Sequence, residues 1–171
     1  MTQTMTDPRQ LLVHELGDIY YAEGVLVKTL PKLAEEAQDD ELRAGFEDHA
    51  EETRGQIENL RLAFEELGEK PTSERCPAIE GITQEHDAFI EEHDASGEIR
   101  DLFLTGAGGR TEHYEIAAYS GLITMARALD ESRVVELLEE NLEQEKAALK
   151  KLETCSRRLA RSAGPANGAP A

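Results

Sequence analysis

The sequence predicts an all-α protein: an antiparallel four-helix bundle with a long crossover that contains a short helix. Three observations carry this expectation. The 171 residues are rich in Glu, Leu and Ala, with 32% charged and only 5% aromatic residues, the usage of long amphipathic helices. Apolar residues recur at helical spacing, as in Leu12, Leu16, Ile19, Leu26, Leu30, Leu33 and Ala37. A helical hairpin also occurs twice, at a fixed offset of 92 positions.

The elements follow in order. Asp7 is a good N-cap and Pro8 a good first helical residue, so the first long helix runs from Pro8 to about Ala37. Pro31 lies inside it and is expected to bend it. Gln38-Asp39-Asp40 makes a short turn. The second long helix continues to about Leu67 on the apolar set Leu42, Phe46, Ile57, Leu60, Phe64 and Leu67, with Gly68 as C-cap and Pro71 beyond it. So short a turn forces the two helices to lie antiparallel. Residues 69–97 are punctuated by Pro71, Ser73, Pro77, Ser96 and Gly97 and form the crossover. Within it, about Ala78 to His93 reads as a short amphipathic helix with Ile79, Ile82, Phe89 and Ile90 inward. The third long helix runs from about Glu98 to Leu129, and Ser132 is the expected N-cap of a fourth that ends near Arg161. Residues 1–7 and 161–171 are expected to be disordered ends around one domain, 8–160, made of hairpins 8–68 and 98–160.

Charge and composition narrow the function. A net charge of −18 argues against a nucleic-acid partner and against anionic membrane surfaces. No apolar run reaches the roughly 18 residues of a membrane span, and MTQTMTDPRQ has no apolar signal-peptide core. Cys76 and Cys155 lie far apart and make no metal-ligand spacing, so a reduced pair in a cytoplasmic protein is the expectation.

The repeat locates the chemistry. The 92-residue offset maps Glu23 to Glu115, Leu30 to Leu122 and Ala34 to Ala126, and in the second helix of each hairpin Glu51 to Glu143 and Leu60 to Leu152. Glu23 falls inside the apolar stripe of the first helix. Glu112 and Glu115 fall inside the stripe formed by Tyr119, Leu122, Ala126 and Leu129. A carboxylate on a core face is costly unless something positive meets it. Two related sites therefore point to a cation shared at the bundle centre. Two like hairpins joined by one long crossover form the ferritin-like topology, in which two helices each give a Glu and two give Glu-x-x-His pairs to a dimetal site. Glu23 and Glu115 match the single-Glu positions. In the second long helix His49, Thr53 and Gln56 phase inward with Glu52 beside them, and in the fourth Asn141, Glu145 and Ala148 do so. Glu145 is expected to face Glu115, and Glu52 with Gln56 to face Glu23. No Glu-x-x-His occurs in either helix.

HELGDIYYAEGVLVKTLPKLAEEA, FEDHAEETRGQIENLRLAFEELGEKP, EHYEIAAYSGLITMA and LLEENLEQEKAALKKL resemble, in order and with matching gaps, the blocks of the YciE/YciF family, a bacterial ferritin-like family linked to stress responses. The resemblance spans roughly residues 8–157. It implies a cytoplasmic homodimer whose bundle core holds two iron or manganese ions, with Glu23, Glu52, Glu112, Glu115 and Glu145 as the matching carboxylates. It implies no settled reaction. This chain departs from the family in two places: Gln56 stands where many members have His, and Gly106-Ala107-Gly108-Gly109 replaces an Ala-rich stretch. Three helical glycines cost about 1 kcal/mol each against Ala.

Blander readings compete for several residues. His49 reads as a hydrogen-bonded core histidine, and His14, His86, His93 and His113 as surface or crossover residues. Tyr20 and Tyr119 phase toward the site, where packing explains them equally well. Two functions remain. One is a metalloprotein that binds a dinuclear iron or manganese centre at Glu23, Glu52, Gln56, Glu112, Glu115 and Glu145, with oxidoreductase or peroxidase-like protection as its expected use. The other is a non-enzymatic acidic stress protein whose metal site has decayed.

Overall fold

A computed structural model describes residues 4–164. These residues form five α-helices: α1 (Pro8–Glu36), α2 (Asp40–Glu66), α3 (Pro77–Glu92), α4 (Gly97–Ala128) and α5 (Ser132–Ala163). Asp7 Oδ1 accepts from the Arg9 N–H at 2.9 Å and caps α1, which runs unbroken through Pro31. Gly68 takes φ of 69°, the left-handed conformation that glycine adopts without penalty, and closes α2 with the Glu69 N–H on the Phe64 carbonyl at 2.9 Å.

Packing follows the repeat. α1 lies on α2, α2 on α5, α5 on α4 and α4 on α1, so the four long helices close a ring around one core. The turns of the two hairpins fall 92 residues apart at both edges: α1 ends at Glu36 and α4 at Ala128, while α2 begins at Asp40 and α5 at Ser132. Leu12, Leu16, Ile19, Leu60, Phe64, Leu104, Leu122 and Leu138 are fully buried within that ring. Burying a Leu or Phe side chain contributes about 1.5–3 kcal/mol. This apolar lining therefore holds the helices together and fixes which faces meet. Asp101 of α4 accepts from the backbone N–H groups of Gln38 and Asp39, at 2.8 and 2.9 Å, and ties one turn to the opposite hairpin.

The crossover returns along α1 and α4. The Glu74 N–H donates to the Gly17 carbonyl at 3.0 Å, and a Cβ at Gly17 would lie 2.8 Å from Glu74 Cγ, so the approach needs glycine. α3 then rests on α4, with Ile79 buried and Phe89 stacked on Phe103 at 3.7 Å.

The structure corrects several expectations. Ser132 is the first residue of α5 rather than its cap, and no side chain caps that end. α5 extends to Ala163, so residues 161–163 of the expected tail are helical. Residues 1–3 and 165–171 of the expected disordered ends lie outside the described residues. Ile57, Ile82 and Ile90 are half-buried, because each sits at the edge of its helix's inward face. His86 lies on the crossover helix, as one of its two expected placements has it, and is 7% exposed: it bonds Glu36 at 2.8 Å and Asp87 at 3.0 Å, so α3 carries a buried polar contact beneath its apolar face. Tyr20 packs edge-on against Phe64 and accepts from Arg61 Nε at 3.1 Å, away from the carboxylates. Gly106, Gly108 and Gly109 do not interrupt α4. Both cysteines are free thiols. Among the described residues no helix is long and apolar enough to cross a membrane.

Candidate metal centre

All four long helices send polar side chains into the middle of the ring. α1 supplies Glu23, α2 supplies His49 and Gln56, α4 supplies Glu112 and Glu115, and α5 supplies Glu145. Glu23, Gln56, Glu115 and Glu145 are fully buried, Glu112 is 2% exposed and His49 5%. Each lies on its helix's apolar face, so burying that face carries the polar group inward with it.

One ligand atom from each of His49, Glu112, Glu115 and Glu145 falls within 4.8 Å of the others. His49 Nε2 sits 3.4 Å from Glu112 Oε1 and 3.5 Å from Glu145 Oε2. Around this group the polar contacts hold side chains in place. Gln56 donates its amide to Glu145. Tyr119 donates to Glu23 and accepts from Asn141 Nδ2 at 3.1 Å, and Asn59 donates to Asn141 at 2.8 Å.

These contacts leave much unmet. Glu23 Oε2, Glu112 Oε2, both Glu115 oxygens, Glu145 Oε2 and Gln56 Oε1 are buried without a hydrogen-bond partner. Such orphans are rare in a folded core, and each one costs about 1–3 kcal/mol or more. Burial pushes the Glu23, Glu112 and Glu115 carboxyls well above the usual range, and the neighbouring Glu145 reinforces it in all three. Among the described residues no Lys or Arg pairs with any of the four buried carboxylates. A divalent cation would supply the missing charge and accept these lone pairs. Carboxylate oxygens with an imidazole nitrogen suit iron or manganese, and no thiolate competes, since Cys76 and Cys155 lie elsewhere. On these observations the residues fit a metal.

The six residues singled out from the sequence divide. Glu112, Glu115 and Glu145 converge with His49. Glu23 lies beside Glu115 and feels the charge of Glu145. Gln56 faces Glu145 across the core rather than Glu23, which is a correction to the expected pairing. Glu52 also departs from expectation. Its side chain is 33% exposed, and it turns outward to His49 Nδ1 at 3.2 Å and Lys151 at 3.9 Å. The His49 imidazole beside it holds its carboxyl below the ordinary value. Glu52 therefore orients the imidazole that points Nε2 at the cluster, a common arrangement behind metal-bound histidines. His49 is the residue the sequence underrated. Its inward phase was visible, but its two carboxylate neighbours come from α4 and α5 and appear only once the helices are packed.

Comparison with known proteins places the chain. A profile of a family described as a domain of unknown function, DUF892, matches residues 7–163. Protein YciF of Escherichia coli is 40% identical over 138 residues, which cover 80% of this chain and 82% of that one. The crystal structure of the E. coli stress protein YciF superposes with a TM-score of 0.87 at 36% identity, covering 92% of this chain and 99% of that one. The structure of YcfI from Rhodopseudomonas palustris gives a TM-score of 0.87 at 41% identity, covering 90% and 98%. A two-domain protein from Anabaena variabilis with DJ-1/ThiJ/PfpI-like and ferritin-like domains matches at a TM-score of 0.62 and 16% identity. That match covers 95% of this chain and 40% of that one, and speaks for the fold alone. The family profile and the 40%-identical relative together show that this chain belongs to the DUF892 family and is YciF-like.

Proposed function

We propose that this chain is a ferritin-like four-helix bundle that holds a dinuclear iron or manganese centre and serves in stress protection. One observation carries the reading: six buried, unpartnered polar atoms gather from all four long helices around His49, Glu112, Glu115 and Glu145. Those four residues would hold one ion. Glu23 and the free oxygen of Gln56 would supply further donors for a second. Bound iron or manganese would supply one-electron chemistry toward peroxide or oxygen. The chain's own part is to position the donors: Tyr119 and Asn141 fix Glu23, Gln56 fixes Glu145, and Glu52 fixes His49. The apolar side chains around them leave the four carboxylates almost wholly buried, which strengthens each electrostatic contact. The stress role is carried over from the E. coli relative, and the homodimer from the family resemblance.

Elemental analysis of the full chain, reconstituted with Fe(II) or Mn(II), tests the centre. Two ions per chain are expected, and replacing Glu112 and Glu115 together by Gln should abolish them. An unsubstituted chain that retains no ion overturns the reading in favour of a decayed site in an acidic structural protein.

A further inference from the structure

A pocket of about 220 Å³ opens between α2 and α5 and runs in to the polar centre. Its inner end is His49 and Glu112, and Glu112 Oε2 there has no hydrogen-bond partner. Its walls are the apolar side chains of Leu42, Phe46, Ala148 and Leu152, and its mouth carries Glu52 and Lys151. Gly45 also lines it, and a Cβ built there would meet no atom within 4 Å. The converging donors of the centre do not need this space. It is kept open by a glycine on one wall and by the short side chain of Ala148 on the other.

Size and charge define an occupant. An apolar cavity of roughly 150 Å³ takes up benzene, so this one has room for a benzene-sized body and a short head. Glu41, Asp48, Glu52 and Glu112 line it against Lys151 alone, in a chain of net charge −18, which disfavours an organic anion. Metal ions behind His49 and Glu112 would offset the charge of the buried carboxylates and remove that end's attraction for an organic cation. We propose that this pocket binds a small neutral molecule with an apolar body and a hydroxyl-type head, and presents that head to His49 and Glu112. This substrate class rests on the metal reading above; the pocket itself does not.

Benzyl alcohol is the probe, with benzoate and benzylamine as charged analogues of the same body. Each is titrated into the full chain, metal-free and metal-loaded, by calorimetry and by NMR of the Leu42 and Leu152 methyl groups. Benzyl alcohol is expected to saturate and to shift both methyls, and to bind the metal-loaded chain about tenfold or more tighter than either analogue. Gly45→Leu fills the open wall and should weaken it by a similar factor. Leu is a better helix former than Gly, so the fold of this variant is secure and its melting temperature should not fall. Non-saturating shifts, equal affinity for benzoate or benzylamine in the loaded chain, or an unchanged Gly45→Leu would overturn the proposal. So would light scattering that shows Gly45→Leu dissociating a dimer, since the pocket would then be a subunit interface. Metal content measured on the same samples separates the two readings. Benzyl alcohol binding without metal retention keeps the pocket and removes the centre, and the converse removes the pocket.

Discussion

Replacing Glu115 by Gln should stabilise the metal-free chain and destabilise the metal-loaded one, so that the order of melting temperatures inverts. Glu115 is fully buried, and neither of its oxygens has a hydrogen-bond partner. Burial raises its pKa, and Glu145, Glu23 and Glu112 raise it further. Without metal the side chain is a liability. Gln has the same shape, carries no charge and brings an amide that can donate to those neighbours. Relieving one buried, unsatisfied polar group is worth about 1–3 kcal/mol. At about 2–4 °C per kcal/mol for a chain of this size, the variant should melt roughly 2–12 °C above the unsubstituted protein in EDTA. With metal the balance reverses. Ligand at a hundred times its Kd stabilises the native state by about 2.7 kcal/mol, or roughly 5–10 °C. A variant that has lost a ligand should forgo most of that gain. Circular-dichroism melts in EDTA and in Mn(II) measure all four states. A variant that melts lower than the unsubstituted chain in EDTA, or a metal shift of equal size in both proteins, would refute the reasoning.

Three further outcomes are expected. A Cβ at Gly108 would lie 2.9 Å from Leu152 Cδ1 and 3.5 Å from Phe46 Cε1, whereas Gly109 has open space. Gly108→Val should therefore lose about 1–3 kcal/mol by overpacking while Gly109→Ala gains up to about 1 kcal/mol, as urea titration would show. Asp39 is held down to a pKa of about 2, chiefly by its hydrogen bonds from Arg158. A depressed carboxyl stabilises the fold above its ordinary pKa of 3.8 and loses that contribution as pH falls through about 2. Asn keeps the cap on the Leu42 N–H but not the charge, and solvent around Arg158 limits the effect to about 1 kcal/mol. Asp39→Asn should therefore be less stable at pH 7 and should match the unsubstituted chain near pH 2, with urea midpoints deciding. Finally, Gln56→His places a nitrogen donor beside Glu145 and should tighten metal binding about tenfold by chelator competition, while weaker binding would show that Gln56 acts only by its amide.

Much of the fold could be read along the chain because its signals are local. The caps at Asp7 and Gly68, the 3.6-residue stripes and the 92-residue repeat depend on neighbours a few positions apart, and helix edges fell within a residue or two of expectation. Where the reading failed, the cause was a partner on another element. His86 lies in the crossover, one of the two places expected for it, but its burial against Glu36, fifty positions away, is not visible along the chain. Ser132 looked like a cap, but the turn places Glu131 ahead of it and brings Glu131 onto Arg9 of α1. Gly108 looked like a weakness in α4, yet Leu152 of α5 occupies the space its side chain would need.

The candidate centre divides the same way. Helical phase alone shows which carboxylates enter the core: Glu23, Glu112, Glu115 and Glu145 lie on apolar faces, and a helix that buries its stripe must bury them too. Helix packing sets which of them share a point in space. The azimuth of a residue on its helix is set by sequence, but the axial offset between helices is set by how their ridges interlock. That offset brought His49 level with Glu112 and Glu145, turned Gln56 to Glu145, and left Glu52 outside as the group that orients the imidazole.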